Sequence, residues 1–276
     1  MNDCSLIISF YNRLDFLKLV LAGLERQTFR SFEIILADDG SNQSVVDKIE
    51  EIKKQSPFPF VHLWQEDLGF RKNKILNSAI RSSSSDYLVF IDGDCIPHSR
   101  FMYEHFNCRS NHTCLTGRRV NLSEKITSRL TVEKVRNGYL EKYFFGLLFD
   151  GLVGKSIDVE KGIYFKNPLL RKYFNKKKRG LLGCNFSIHK KDLERINGFD
   201  ERYEAPSIGE DSDIQFRLEL LNARIKSLNN IAVQYHLYHK LQARPQKNLE
   251  LFAEIKTAAK YYTPFGIMQN NKAGEN

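Results

Sequence analysis

Short, unbroken apolar runs alternate with segments whose apolar positions recur every three or four residues along the first third of the chain. The apolar run Cys4–Phe10 predicts a buried strand that ends in a polar loop at Tyr11-Asn12-Arg13. Residues 14–27 carry helical spacing, and residues 32–37 form a second buried strand, stopped by Asp38-Asp39-Gly40-Ser41. A helix over 45–54, a strand over Phe60–Trp64, a helix over 73–81, a turn at 82–85 and a fourth strand over 87–91 complete the series. Strands alternating with helices imply an α/β fold with a mostly parallel sheet and helices on both faces.

Sheets of this kind bind ligands at the carboxyl ends of their strands. The polar clusters fall there: Asn12-Arg13, Asp38-Asp39, Gln65-Glu66-Asp67, and Asp92-Gly93-Asp94. Asp92 and Asp94 flank a glycine just past the apolar run Tyr87-Leu88-Val89-Phe90-Ile91. Two readings are open for them. Asp and Gly are favoured turn residues. Two neighbouring carboxylates also repel one another unless a hard cation such as Mg²⁺ or Mn²⁺ lies between them and a substrate phosphate. Further along, Glu210-Asp211-Ser212-Asp213 precedes a helical stretch at 214–221, where carboxylates suit the first turn and could equally serve as a general base. Tyr235-His236-Leu237-Tyr238-His239 follows an apolar stretch and falls at a strand end, and imidazole with carboxylate makes a reasonable Mn²⁺ donor set. The other five histidines, His62, His98, His105, His112 and His189, have no partner motif and default to surface or packing roles.

These pieces, in this order, resemble a family 2, GT-A-fold glycosyltransferase over most of residues 4–240. Ser9-Phe10-Tyr11-Asn12-Arg13 resembles the opening donor loop and Asp38-Asp39-Gly40-Ser41 the nucleotide-base loop. Gln65-Glu66-Asp67-Leu68-Gly69-Phe70-Arg71 with Asn77 resembles the segment that closes over the diphosphate, and Asp92-Gly93-Asp94 the DXD metal motif. Gly183-Cys184-Asn185-Phe186-Ser187, Asn197-Gly198-Phe199-Asp200-Glu201 and Gly209-Glu210-Asp211-Ser212-Asp213 are similar to the galactosyltransferase-like and chondroitin-polymerase-like branch. The resemblance implies roles. Asp39, with Asp38 beside it, holds the base and ribose, and Arg71 approaches the diphosphate. Phe10, Tyr11, Asn12, Arg13, Gln65, Asp67, Asn77, Asp92 and Gly93 complete the donor site. Asp94 is the most direct ligand of a Mn²⁺ or Mg²⁺ ion, with Asp92 and either His236 or His239. Asp211 is the general base and Glu210 orients the acceptor, with Gly183, Asn185 and Gly209 nearby. The implied reaction is an inverting transfer of hexose or N-acetylhexosamine from a nucleotide-diphosphate sugar, UDP-linked, to a carbohydrate or glycolipid acceptor in bacterial surface polysaccharide or lipopolysaccharide synthesis.

Composition changes this picture only at the margins. The 276 residues are 42% hydrophobic and 27% charged, as in an ordinary globular domain. Five scattered cysteines without a CxxC pair argue against a disulfide framework and a structural zinc site, and fit a reducing cytoplasm. No apolar stretch is long enough to cross a bilayer, and the first residues lack the pattern of a signal peptide. The net charge of +9 and the run Lys176-Lys177-Lys178-Arg179 favour anionic partners, among them an anionic membrane at the inner face of the cell. No nucleic-acid module is present, and acidic clusters oppose phosphate unless a metal intervenes. The expected organisation is a single domain over 1–240: a nucleotide-sugar half (1–117), a helical insertion (118–180) and a catalytic half (181–240), with a helix and tail over 241–276.

Two departures from the family pattern limit the inference. Ala205-Pro206-Ser207-Ile208 stands where the branch often has a tryptophan-containing loop, and the only tryptophan is Trp64. The insertion is long and aromatic-rich, with Tyr143-Phe144-Phe145 and Leu147-Leu148-Phe149, either packed on the core or facing membrane or acceptor. Two other readings are a sugar nucleotidyltransferase, which would need a glycine-rich loop where Ser9–Arg13 has no glycine, and a basic glycan- or membrane-binding protein on an inactive GT-A fold.

Overall fold

The computed structural model describes residues 2–205, 210–240 and 246–268. Within them the strands are β1 (Cys4–Phe10), β2 (Phe32–Asp38), β3 (Phe60–Trp64), β4 (Tyr87–Asp92), β5 (Cys95–Pro97), β6 (Thr113–Thr116), β7 (Arg118–Asn121), β8 (Asn185–His189), β9 (Arg224–Ser227) and β10 (Val233–His236). The helices that matter for the site are α1 (Leu14–Glu25), α2 (Gln43–Gln55), α3 (Lys72–Ser82) and α4 (Phe101–Asn107) in the first half. Five short ones follow in the insertion: α5 (Glu124–Ser128), α6 (Val132–Arg136), α7 (Tyr139–Lys142), α8 (Phe144–Leu152) and α9 (Pro168–Phe174). The chain continues with α10 (Lys190–Arg195), α11 (Glu210–Leu220) and α12 (Gln246–Ala258).

Seven strands form one sheet in the order β3-β2-β1-β4-β8-β6-β9. β1 through β4 run parallel, β8 runs antiparallel between β4 and β6, and β9 pairs parallel to β6. Because side chains alternate across a strand, the unbroken apolar runs feed two cores. Leu6, Ile8, Ile34, Leu36, Val89 and Ile91 face α1 and α2. Ile7, Ile35, Ala37, Leu88 and Phe90 face α3, α10 and α11. That double burial is why these strands read as continuous rather than alternating. The elements read from the first third of the sequence fall within two residues of the observed ends, whereas α11 begins at Glu210, four residues before the stretch read as helical; α2 starts on the Asn42 side chain, which accepts from Val45 N.

A second sheet, β5-β10-β7, closes the far side. It carries the first residues of the 118–180 stretch, so the insertion opens with a strand before its helices begin. The helical part is fastened to the first half by ion pairs, Arg26 to Glu141 at 2.7 Å and Arg136 to Glu25 at 2.5 Å. The fully buried Glu104 of α4 accepts both Arg171 guanidinium nitrogens, at 2.7 and 2.8 Å.

Helix α11, which carries Asp211, is anchored by a buried pair. Arg217 and Asp213 are each 1% exposed, with Nη2 2.5 Å from Oδ2, and the guanidinium also donates to the carbonyls of Ile196 and Gly198. Asp213 therefore serves packing, although it closes the acidic run read from sequence. Arg217→Met strands Asp213 in the core and is expected to cost about 3–5 kcal/mol. A denaturant titration checks this; a loss below about 1 kcal/mol would mean the pair is no anchor.

Candidate functional site

A cleft of about 890 Å³ opens at the carboxyl ends of β1, β2 and β4, lined by Ser9, Phe10, Tyr11, Arg13, Asp39, Asp67, Lys72, Asp92, Gly93, Asp94 and His239, among others. Chain reversal at each strand end places these residues. Asn12, at φ +54°, turns the chain after β1, its N–H donating to Ser41 Oγ and its Oδ1 accepting from Asn42 N. Gly40 sits at φ +98°, and a Cβ there would run into the Asp67 backbone at 2.6 Å. Glycine thus lets the loop after β3 close on the loop after β2.

Asp38 and Asp39 divide the labour. Asp38 is fully buried, accepts from Ser41 N and Oγ and lies 3.0 Å from His62 Nε2, so it shapes the loop from within. Asp39 faces the cleft. Its carboxylate accepts from Gln65 Nε2 at 2.5 Å and from the Arg71 backbone N–H at 2.9 Å. Burial raises its pKa, against the pull of those two bonds. A carboxylate offers about four lone-pair directions, so Asp39 can also accept from a ribose hydroxyl or a base N–H. Tyr11 donates to Asp67 across the cleft at 2.9 Å, which raises the pKa of its phenol. Arg13 pairs with Asp15 and stacks over Phe16 at 3.7 Å.

Asp92 and Asp94 point to different partners. Asp92 accepts from Ser9 Oγ at 2.5 Å and from Lys72 Nζ at 3.0 Å. Gly93 donates from its N–H to Ser9 O, and an added Cβ would press on Ser9 O and Phe10 at 3.1 and 3.2 Å. Asp94 meets both histidines: His236 Nε2 at 3.4 Å, His239 Nε2 at 3.2 Å, with 3.1 Å between the two nitrogens. Register explains the meeting. β5 follows Asp94 directly and pairs antiparallel with β10, setting His236 against Cys95, and Leu237 N donates to Asp94 O. Burial alone would raise the Asp94 carboxyl, but hydrogen bonds from the two imidazoles outweigh it and hold it well below the carboxylate range. The same contact raises His239.

These three groups fit a divalent ion. Neighbouring ligands of a six-coordinate ion at about 2.1 Å lie about 3.0 Å apart, close to the separations here. Two imidazole nitrogens in place of oxygen favour Mn²⁺ over Mg²⁺. Cys95 Sγ is also within 4.8 Å of the Asp94 and His236 donor atoms, but burial pushes its thiol pKa up, and a neutral thiol is a poor ligand.

Asp211 lies at the start of α11, with Oδ2 3.3 Å from Gly183 N and Oδ1 2.7 Å from Ser212 N. Cys184, next to Gly183, accepts from Arg119 Nη1 at 3.2 Å. Gly209 lies outside the described residues, as do the Glu210 side chain and the tail at 269–276; of the loop at 205–208, only Ala205 is described.

Asn77 and Asn185, expected in the site, are not brought to it, and the fully buried Asp38 does not face it either. Asn77 is fully buried; its amide donates to Phe199 O and Glu201 Oε1, and its Oδ1 accepts from Phe199 N. It fastens α3 to the 199–201 loop. Asn185 is likewise enclosed, donating to the carbonyls of Arg118 and Ala232. Its Oδ1 accepts from His105 Nε2, whose other nitrogen bonds Ser187 Oγ, which in turn bonds Tyr87 OH. Burial pushes His105 down to about 4, so this relay runs through a neutral imidazole and ties α4 to β8 and β4, while the Asn185 amide reaches β7 of the second sheet. The Arg71 guanidinium folds onto Glu66 O, and its main contribution to the cleft is the backbone N–H. Lys72 lines the cleft as well, directly after the Gln65–Arg71 segment; a lone lysine at a helix start carries no pattern in the sequence. Glu124, Tyr238 and Lys240 also reach the cleft from elements whose placement depends on the second sheet.

The family model of glycosyl transferase family 2 matches residues 5–194, and that of the N-terminal domain of galactosyltransferase matches residues 170–240. Chondroitin synthase of Escherichia coli is 25% identical over 245 residues, covering 86% of this chain and 35% of its own. Chondroitin synthase of Pasteurella multocida (strain Pm70) is 25% identical over 78% of this chain and 22% of its own. The chain thus spans about a third or less of the length of these relatives. Among solved structures, GalNAc-T7 with UDP, GalNAc and Mn²⁺ superimposes with a TM-score of 0.63 at 13% identity, over 93% of this chain and 48% of the other. S. aureus TarS 1-349 in complex with UDP-GlcNAc does so at 0.60 and 17%, over 94% and 65%. The fold is GT-A, with a large, mostly parallel central sheet between helices. With more than half of its length matched by the family model, the chain belongs to glycosyl transferase family 2.

Proposed function

We propose that the chain transfers a hexose or N-acetylhexosamine, with inversion, from a UDP-sugar to a carbohydrate or lipid-linked glycan during synthesis of a bacterial surface polysaccharide or lipopolysaccharide. It would work in the cytoplasm at the inner face of the cell membrane. The observation that carries this reading is the cleft in which Asp39 faces the same space as Asp92, Asp94, His239 and Lys72. Such a cleft has acceptors for a nucleoside at one group and positive charge for a diphosphate at another. Relatives that build amino-sugar polymers, such as the poly-beta-1,6-N-acetyl-D-glucosamine synthase of Staphylococcus aureus (strain MSSA476), support the donor class, as do the UDP and UDP-GlcNAc complexes of TarS.

Asp39 would accept from the nucleoside, and Tyr11 with Phe10 would bound the cleft beside it. Lys72, already paired with Asp92, would meet the diphosphate oxygens. Asp94, His236 and His239 would hold Mn²⁺, or Mg²⁺ in its place; the ion supplies positive charge against the departing diphosphate. Asp211 would take the proton of the acceptor hydroxyl, whose oxygen forms the new bond to the anomeric carbon as the carbon–oxygen bond to the diphosphate breaks. The products are the lengthened glycan, UDP and one proton left on Asp211. Attack from the face opposite the leaving group inverts the anomeric configuration.

Thermal unfolding against a panel of nucleotide sugars, each with and without Mn²⁺, tests the reading. A donor at about 100 times its Kd should raise Tm by roughly 5–10 °C, and the rise should depend on Mn²⁺. A folded protein indifferent to every nucleotide sugar would turn the assignment toward a glycan- or membrane-binding protein on the same fold.

A further inference from the structure

The aromatic run of the insertion does not pack on the core as a unit. Leu140 and Leu147 are buried, yet Phe145, Phe149 and Leu152 are 82%, 69% and 80% exposed. At spacings of four and three residues they share one side of α8, with Leu148, Val153 and Ile157 exposed beside them. The insertion as a whole concentrates this property. Of the 21 large apolar side chains exposed among the described residues, 12 lie within 118–180.

The same stretch also holds the charge. Residues 118–180 carry sixteen lysines and arginines against six aspartates and glutamates, an excess larger than the +9 of the whole chain. Lys142 and Lys155, both exposed, bracket α8 at its two ends, and Lys166, Lys172, Lys176, Lys177 and Lys178 follow on the surface. Exposed apolar side chains gathered in one stretch of chain commonly mark a contact surface. Protruding aromatic and leucine side chains among lysines are what an interfacial helix offers to anionic headgroups and the acyl boundary beneath them.

We infer that α8, with its flanking lysines, is a docking face for an anionic lipid bilayer. Helix α8 has nine residues, and no helix among the described residues is long and apolar enough to cross a membrane, so the contact is one of lying on the surface. Charge argues against a second copy of the chain as occupant, because a two-fold pairing would set this cationic surface against itself. Nucleic acid would match the lysines but leave Phe145, Phe149 and Leu152 in water. The inference deepens the membrane-side placement proposed above and is independent of the transfer chemistry.

Flotation of the full chain with vesicles tests it. Binding is expected to vesicles of phosphatidylglycerol and phosphatidylcholine, weaker binding to phosphatidylcholine alone, and a decline with added salt. The triple variant F145S/F149S/L152S should lose more than about tenfold in the vesicle-bound to free ratio while keeping the wild-type Tm and the UDP-sugar response, since all three side chains are exposed. The pair K142E/K155E should weaken binding to anionic vesicles and flatten its salt dependence. Failure of the wild-type chain to float, or equal flotation of the triple variant, would overturn the inference. So would a dimer in sedimentation that the triple variant abolishes, which would give the face to a second copy. A lost UDP-sugar response with flotation intact would instead strike at the transfer chemistry.

Discussion

Asp211→Asn is expected to lower the transfer rate by about 10²–10⁴-fold, the usual worth of a positioned general base, while leaving the donor Kd within about twofold. The substitution keeps the shape of the side chain. Asp211 accepts from Gly183 N at Oδ2 and from Ser212 N at Oδ1, and asparagine keeps an acceptor for one of those contacts while losing the ability to take a proton. The anchor of α11 lies elsewhere, in Arg217 and Asp213, so the helix should stay in place. Initial rates with a labelled sugar, alongside calorimetric donor titration, separate the two effects. A fall of less than about tenfold would place the base on another residue, whereas loss of donor binding would make Asp211 part of the donor site.

The second large effect is expected at Asp94. Asp94→Ala removes the carboxylate that meets both His236 and His239, leaving the two imidazoles without an anionic partner among the described residues. The Mn²⁺-dependent part of the UDP-sugar thermal shift should vanish, and transfer should fall by at least about 10²-fold, as when a preorganised charge opposite the leaving group is lost. His236→Ala and His239→Ala, measured in parallel, each test one nitrogen. If both act as ligands, each should weaken Mn²⁺ affinity by at least about tenfold. A substitution that leaves the Mn²⁺ response intact would remove that residue from the set, and an unchanged response in Asp94→Ala would remove the site.

The parallel half of the fold is legible in the sequence because its strands are buried on both faces and its helices on one. Residues such as Ile7 and Ile8 need no long-range information to be placed, only the contrast with the helical spacing that follows. The second sheet is not legible in that way. β5 has three residues and β10 has four, and their pairing joins segments far apart in sequence. Hence His236 and His239 were both open as ligands on sequence grounds, while strand register brings both nitrogens to Asp94. Polar residues inside motifs misled in one direction. Asn77 and Asn185 look like ligand contacts in a linear reading, yet both are enclosed and spend their amides on protein groups, Asn77 on Phe199 O and Glu201 Oε1, Asn185 on the carbonyls of Arg118 and Ala232. A motif records what must stay fixed, and a buried amide between two elements is as fixed as a ligand. The exposed face of α8 was undecidable from sequence, since Leu147 and Phe149 are equally apolar and only packing separates them.

The pairing of β5 with β10 has a further consequence. Asp94 and His236 are held opposite one another by backbone hydrogen bonds between two short strands, and the long stretch of chain between them leaves at edge strand β5 and returns as the central strand β10. Changes confined to the exposed side of the α6–α9 portion need not disturb their alignment, provided that β7 still pairs with β10 and the buried contacts of Leu140, Leu147 and Arg171 are kept. The architecture therefore behaves as a socket with an adjustable rim: the Asp94–His236 end is fixed by strand pairing, and the exposed side of the helical portion can vary around it.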